Sequence, residues 1–159
     1  MTVKPGFGVE RLHLRQSADQ LRSGFGTPKK RRKTGSFREY WLYPEKRFDC
    51  IVSRRSGVVL SLFLHRGNPF LGTEIFGANE DQVREMFSKP DLDGGGFTAV
   101  TGDYVGRWLS YDQGIGFDFN VSGKVETVSI FAPKRSAKAK KTASHRQPHE
   151  QQIAALRTH

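Results

Sequence analysis

The residues that most often carry enzyme chemistry are few and scattered in this chain of 159 residues. The five histidines are His13, His65, His145, His149 and His159. No histidine, cysteine or carboxylate spacing is typical of a metal site. No Gly-x-Ser-x-Gly occurs, and the stretches GFGVER and DGGGFT lack the Lys-Ser/Thr of a phosphate-binding loop. We therefore predict no catalytic residues, no metal ligands and no cofactor. A small hydrolase or a lipid carrier would need a deep pocket, which the sequence neither indicates nor excludes.

Cys50 is the single cysteine, so no disulfide can form within the chain. It lies in RFDCIV, where the pattern favours a buried strand residue over a reactive thiol, since no histidine or other base is near it in sequence.

The formal charge of +10 is concentrated in two segments. Residues 29–33, KKRRK, carry +5 and residues 134–159 carry +6, so the rest of the chain carries −1. One function this suggests is a nucleic-acid-associated protein that binds phosphates through a basic loop and tail. Its candidate anion-binding residues are Lys29, Lys30, Arg31, Arg32, Lys33, Lys138, Lys140 and Lys141. The run PKKRRK also resembles a nuclear localisation signal, although a solvated loop explains it as well.

Residues 133–159 differ in composition from the rest of the chain. They contain many lysines and alanines and few large apolar residues, apart from a weak helical patch at residues 153–156. We expect this tail to be disordered. It serves either as a solvated tail or as a contact to an anionic partner, whether nucleic acid or lipid headgroups.

The composition, 36% hydrophobic and 11% aromatic, is that of a soluble folded protein. The longest apolar run, VVLSLFLH, has the length of a strand, so we predict no transmembrane segment. The first residues, MTVKPGFGVERL, do not have the pattern of a signal peptide. We expect either a cytoplasmic protein or an exported one whose leader is not part of this sequence.

Two stretches repeat nearly the same pattern 62 residues apart: SADQLRSGFGTP at 17–28 and NEDQVREMFSKP at 79–90. Each begins with a residue suited to an N-cap, Ser17 or Asn79, followed three positions later by a glutamine. This is the capping-box pattern, and each stretch is predicted to be a short helix that ends at a proline.

Three strand-like segments follow each helix. They lie around 38–44, 47–54 and 58–65 in the first half, and around 104–111, 114–121 and 124–131 in the second. We predict an α+β fold of two tandem αβββ repeats, residues 5–67 and 68–132, with short helices packed on one face of antiparallel sheet and a tail over 133–159. Each half is small, and joining the two buries more apolar surface.

The alternation along the strands predicts which residues face away from the helices. If Leu42, Leu109 and Phe48 face the helices, their neighbours face outward. The outward set then contains the candidate protein-binding residues Trp41, Tyr43, Phe63, Trp108 and Phe131. Aromatic side chains mixed with small polar ones are typical of interface centres. The same aromatics could instead pack one repeat against the other or close a homodimer.

The capped helices ending in GFGTP and MFSKP, the segments YWLYP and RWLSY, and the hairpin DFNVSGKVETVSIF resemble the superfamily of the β-lactamase inhibitor protein and the small lipoprotein of the outer-membrane barrel-assembly machine. The resemblance covers roughly residues 5–132. It implies a non-catalytic protein whose aromatic sheet face binds another protein, with the five aromatics above as the contact set. The chain lacks the disulfides of the inhibitor, and the resemblance does not account for the basic loop and tail. We therefore predict a non-enzymatic protein-binding module whose partner the sequence does not identify.

Overall fold

The structure, a computed structural model, describes residues 3–87 and 104–134. The helices of this part are α1 (Ala18–Phe25), α2 (Thr73–Gly77) and α3 (Glu80–Phe87), with a 3-10 turn over Pro44–Lys46. The strands are β1 (Gly8–Val9), β2 (Leu12–His13), β3 (Lys30–Lys33), β4 (Arg38–Tyr43), β5 (Phe48–Ser53), β6 (Val59–His65), β7 (Tyr104–Ser110), β8 (Ile115–Asn120) and β9 (Val125–Phe131).

Capping boxes open both of the longer helices, as predicted. At α1, the Gln20 amide donates to the Ser17 hydroxyl (3.1 Å) and the Ser17 amide donates to the Gln20 side chain (3.0 Å). At α3, the Asn79 and Gln82 pair makes the same two bonds at 2.9 and 3.0 Å. These bonds satisfy amide groups that have no partner within the helix, and so they fix where each helix begins.

Seven strands form one antiparallel sheet in the order β3-β4-β5-β6-β9-β8-β7. The six predicted strands are confirmed, each to within one residue at either end. Strands β6 and β9 pair at the centre, so the two halves of the chain share a continuous sheet. The fold is therefore α+β, with a large antiparallel sheet and a few short helices.

All three helices contribute to one core on the inner face of the sheet. Leu21 of α1 and Val83 of α3 are fully buried. The ring of Phe25 contacts Phe48 at 5.2 Å between centroids, and the ring of Phe87 contacts Phe117 at 5.1 Å. Because α1 and α3 lie against the same side of the sheet, the opposite side, which we call the outer face, is left without a helix among the described residues.

The basic run at 29–33 was predicted as a loop, and this is wrong. Lys30–Lys33 form edge strand β3, which pairs with β4. The Lys29 amide donates to the Leu42 carbonyl (2.9 Å) and the Thr34 amide to the Arg38 carbonyl (3.0 Å), which extends the ladder at both ends. The run has no apolar alternation, but an edge strand with both faces in solvent does not need any. The β1–β2 hairpin and α2 were also not predicted.

The predicted orientation of Trp41, Tyr43 and Trp108 is wrong as well. Trp41 lies directly opposite Cys50, Tyr43 opposite Phe48 and Trp108 opposite Phe117, and residues opposite each other share a face. All three belong to the inner core and are 2–4% exposed. Two of these rings also have a hydrogen-bond partner: Trp41 Nε1 donates to Glu39 at 2.8 Å, and the Tyr43 hydroxyl donates to the Gly26 carbonyl at 3.1 Å. The large rings therefore take the inner positions, while the leucines beside them take the outer ones.

Several predictions fall outside the described residues. These are the disordered tail and its candidate anion-binding residues Lys138, Lys140 and Lys141. Within the described part of the chain, no helix is long and apolar enough to cross a bilayer.

Candidate functional site

The outer face mixes half-buried apolar side chains with paired polar ones. Cross-strand register places its residues in rows that run across the sheet. They are Tyr40, Leu42, Asp49, Ile51, Phe63, His65, Arg107, Leu109, Asp118, Thr127, Ser129 and Phe131. Phe63 and Phe131 are the two predicted contact residues that do lie here. The orientation predicted for β5, β6 and β9 is confirmed: Phe48 faces inward, and Phe63 and Phe131 face outward.

A hydrogen-bonded chain of side chains crosses four strands on this face. Asp49 accepts from the Tyr40 hydroxyl at 3.0 Å, and its carboxylate lies 2.8 Å from His65 Nε2. His65 Nδ1 lies 3.2 Å from the Thr127 hydroxyl. Because a carboxylate only accepts, Nε2 of His65 donates a hydrogen bond to Asp49. The network therefore satisfies polar groups at the middle of the face.

The order hydroxyl, imidazole and carboxylate is also that of a nucleophile, its base and an orienting group. Thr127 is only 3% exposed, however. A substrate atom could not come within bonding distance of its hydroxyl unless the neighbouring side chains moved. The arrangement accounts for a fixed position of His65 better than it accounts for nucleophilic attack.

A second polar pair lies one strand further along. Arg107 donates to both carboxylate oxygens of Asp118, through Nε and, at 3.2 Å, through Nη2. The Asp118 side chain is 7% exposed and that of Arg107 is 43% exposed. The bidentate pairing neutralises a nearly buried carboxylate, so the face carries no uncompensated negative charge at this point.

The apolar side chains of the outer face surround an open groove of about 420 Å³. It is lined by Arg38, Ile51, Leu60, Ser61, Leu109, Tyr111, Phe131, Ala132 and Lys134. Gly116 allows Leu109 to lie across β8, because a Cβ at Gly116 would be 2.4 Å from Leu109 Cδ2. The ammonium of Lys134 lies 5.2 Å from the centre of the Tyr111 ring. The groove thus has apolar walls and two cations.

Edge strand β3 and its neighbours form a second surface, which we call the basic edge: residues 29–33 with Arg38, Arg54 and Arg55. Residues 29–33 are all exposed. Lys30 and Arg32 lie opposite Leu42 and Tyr40, and therefore on the outer side of the strand. Arg31 and Lys33 lie on the inner side. The predicted anion-binding residues 29–33 are thus brought together, with positive charge on both sides of one strand.

Glu39 is the acidic residue within this cationic surface. Its carboxylate accepts from Arg31 at 2.8 Å and from Trp41 Nε1 at 2.8 Å. These two hydrogen bonds hold the pKa of Glu39 below its usual value. The guanidinium of Arg31 also lies 4.9 Å from the centre of the Trp41 ring, which fixes the inner side of the edge.

Burial makes the thiol of Cys50 unreactive. Cys50 is fully buried, as predicted, and desolvation raises the pKa of its thiol to about 12. Burial also raises the pKa of Tyr43 to about 12. Within residues 3–87 and 104–134, no three histidine, cysteine or acidic side chains are grouped so that they could hold a metal ion.

Sequence reasoning missed the groove residues Leu60 and Tyr111, and the cations Arg54 and Arg55. The strand alternation does place Asp49 and His65 on one face. It cannot show that they touch, because the register between strands is set by tertiary pairing. The apolar-polar alternation of the strands also does not indicate that Arg54 and Arg55, in the turn between β5 and β6, lie next to the basic edge.

No family model and no curated protein matches the chain. An extracellular protein containing an SCP domain from Bacillus anthracis strain Ames matches with a TM-score of 0.49 and 10% identity, over 75% of this chain and 44% of that one. A cysteine-rich secretory protein from Staphylococcus aureus strain Mu50 matches with a TM-score of 0.47 and 17% identity, over 82% and 47%. The chain thus spans about half the length of these structures. Neither is described as a member of the superfamily of the β-lactamase inhibitor protein and the barrel-assembly lipoprotein, so the resemblance predicted from the sequence is wrong.

Proposed function

We propose that the protein is a non-enzymatic binding module whose outer face takes up a segment of another protein. The observation that carries this proposal is the groove, in which Ile51, Leu60 and Leu109 form apolar walls beside two cations. Half-buried apolar side chains on a rigid sheet lose little conformational freedom when a partner covers them. They therefore suit a binding role that requires no reactive group.

The chemistry of the groove indicates what the partner segment should contain. Arg38 and Lys134 line the same groove as the apolar walls. A peptide with one or two large apolar side chains flanked by aspartate or glutamate complements both features. We therefore commit to an acidic-apolar peptide segment as the occupant.

Polar groups elsewhere on the outer face support this proposal. Asp49 and Asp118 keep their partners, His65 and Arg107, when the face is covered. Covering groups that are already hydrogen bonded avoids the large penalty of an unsatisfied buried charge. The face can therefore be desolvated at moderate cost.

We also propose that residues 5–67 and 68–132 are copies of one αβββ unit. Each half contains a capped helix and three consecutive antiparallel strands, β4–β6 or β7–β9, and the first half has edge strand β3 in addition. Trp41 and Trp108 take equivalent inner positions. The final strands of the two halves, β6 and β9, pair at the centre. Duplication would widen a small sheet into a face large enough for a groove.

The groove is tested by selecting peptides from a random display library on the immobilised full chain. We expect the selected sequences to be enriched in apolar residues flanked by carboxylates. Amide chemical-shift changes on adding such a peptide should centre on Ile51, Leu60, Leu109 and Phe131. Leu60→Glu should weaken the binding at least tenfold, because it places a carboxylate in the groove.

Val121→Glu is the matched control, since Val121 is 75% exposed in the β8–β9 turn and lies outside the groove. The Val121→Glu variant should bind the selected peptide with the same affinity as the unmodified chain. Equal weakening by both variants, or shift changes centred away from the groove, would refute the proposal. A homodimer seen by light scattering and dissociated by Leu60→Glu would replace it with self-association through the same face.

A further inference from the structure

The basic edge gathers more charge than its strand alone provides. The turn between β3 and β4 rests on the turn between β5 and β6: the Arg54 amide donates to the Phe37 carbonyl at 2.8 Å, and Arg54 Nη1 donates to the Ser36 carbonyl at 3.2 Å. This contact brings Arg54 and Arg55 beside β3. Eight cations then surround one carboxylate, Glu39, for a net charge of +7 in the basic edge.

An exposed aromatic ring lies within this group of charges. Phe37 is 62% exposed, and the guanidinium of Arg55 lies 5.4 Å from the centre of its ring. Exposing a phenyl ring to water is unfavourable. Its place among arginines is the combination found where bases stack and phosphates are neutralised.

Protection of the sheet edge is the simplest explanation of the charges on β3. Charged side chains on an edge strand oppose pairing with another chain. Edge protection explains Lys30 and Arg32, but it requires neither an exposed ring nor arginines brought in from a second turn. Edge protection works with charges of either sign, whereas binding of an anionic ligand requires positive charges. Reversing the charge therefore separates the two roles.

We propose that the basic edge binds single-stranded nucleic acid, with phosphates along β3 and a base stacked on Phe37. Side chains two apart on one side of a strand repeat about every 6.6 Å, which is comparable to the step between successive phosphates of an extended single strand. Arginine predominates in the group, and its planar guanidinium suits phosphate oxygens.

The two-sided arrangement favours a strand over a membrane. Lys30 and Arg32 lie on one side of β3, and Arg31 and Lys33 lie on the other. On the inner side, Arg22 and Arg54 line the same recess as Arg31 and Lys33. A flat anionic surface can contact only one side at a time, whereas a flexible strand can follow the edge and contact both.

The test is fluorescence anisotropy of a labelled oligothymidylate as the full chain is added. A length of about 12 nucleotides lies within the site sizes of single-strand-binding proteins. We expect binding that weakens with salt at about 0.7 logarithmic units per phosphate contacted, hence a slope near −3 for about four contacts. Phe37→Ala should weaken binding by roughly 5- to 150-fold through loss of stacking.

Charge reversal separates binding from edge protection. Lys30→Glu with Arg32→Glu leaves the edge charged, so the variant should stay folded and monomeric, but it should bind at least tenfold more weakly. Arg11→Glu with Lys124→Glu reverses one arginine and one lysine outside the basic edge, makes the same change in net charge, and should have a much smaller effect. Arg55→Glu provides a second reversal on a different turn should the first variant not fold.

Equal losses from the two charge pairs would overturn the proposal, since they would mean that net charge alone drives the interaction. Unchanged binding in the Lys30 and Arg32 variant, with binding lost when residues 135–159 are removed, would assign it to the tail instead. Vesicles with about one-third phosphatidylserine provide the other comparison. Loss of vesicle binding without loss of oligonucleotide binding in the reversal variant would assign the edge to lipid.

Discussion

The opposite orientations of Trp41 and Leu42 give the sharpest test of this fold, because the two residues are adjacent on β4. Trp41 is 2% exposed in the core, and Leu42 is half-buried on the outer face. The register requires this, since Trp41 pairs with Cys50 and Leu42 with Asp49. We therefore expect Trp41→Ala and Leu42→Ala to have very different effects on the free energy of unfolding.

The expected magnitudes follow from burial. Removing a buried tryptophan costs about 3–5 kcal/mol through the cavity it leaves. Loss of its 2.8 Å hydrogen bond to Glu39 adds about 1 kcal/mol. Leu42 is only half-buried, so its truncation costs about 1 kcal/mol, roughly half the value of a fully buried leucine.

Urea unfolding followed by circular dichroism measures this difference. With a slope of about 2 kcal/mol per molar urea, Trp41→Ala should lower the midpoint by roughly 2 to 3 M, and Leu42→Ala by roughly 0.5 M. If Trp41→Ala is too unstable to fold, Trp41→Phe retains most of the ring volume and isolates the hydrogen bond, with an expected loss of about 1 kcal/mol. A Leu42→Ala loss equal to or larger than that of Trp41→Ala would mean that the orientation of β4 assigned here is reversed.

Two further predictions concern charge and backbone. The pKa of Glu39 is lowered by hydrogen bonds from Arg31 and Trp41, so this carboxylate stabilises the fold above its unfolded pKa of about 4.5, and the stabilisation disappears as pH falls through the folded pKa. Glu39→Gln should therefore lower the urea midpoint at neutral pH and have progressively less effect below pH 4.5, whereas a constant loss at all pH values would contradict this assignment. Gly114 and Gly123 both have positive φ (71° and 68°), but a Cβ at Gly114 would lie 2.1 Å from the Phe131 carbonyl oxygen, and one at Gly123 meets nothing within 4 Å. Gly114→Ala should therefore destabilise the protein by at least 1 kcal/mol more than Gly123→Ala in the same urea assay, and equal losses would show that only backbone strain matters.

Local signals in the sequence were sufficient to predict the two longer helices, α1 and α3, and the six strands β4 to β9. Ser17 with Gln20, and Asn79 with Gln82, mark helix starts because the bonds that define a capping box join residues three apart. The alternation in FDCIVS of β5 likewise fixes which side is inward, since Asp49 cannot replace Phe48 or Cys50 in the core.

Other features depend on contacts between distant residues, and the sequence could not supply them. The segment YWLY in β4 is apolar or amphipathic at every position, so alternation does not decide between Trp41 and Leu42. The inward orientation of Trp41 and Tyr43 is set by contacts with α1 and its end: Leu21 of α1 belongs to the same core, and the Gly26 carbonyl accepts a hydrogen bond from Tyr43. The groove likewise needs residues from several strands, and the basic edge needs Arg54 and Arg55 from a second turn.

The two surfaces differ in how their charges are compensated, and this determines how each should respond to salt. On the outer face, Asp49 and Asp118 each have a cationic or hydrogen-bonding partner in place, so a ligand there gains mainly from covering apolar area. On the basic edge, cations outnumber the one carboxylate, and a bound polyanion releases counterions as it replaces them. Raising the ionic strength should therefore weaken binding at the edge much more steeply than binding in the groove, where only Arg38 and Lys134 can pair with carboxylates. Arg38 belongs to both surfaces, so saturating the edge with a polyanion should weaken the affinity of the groove for acidic peptides, and by linkage the reverse should hold to the same degree.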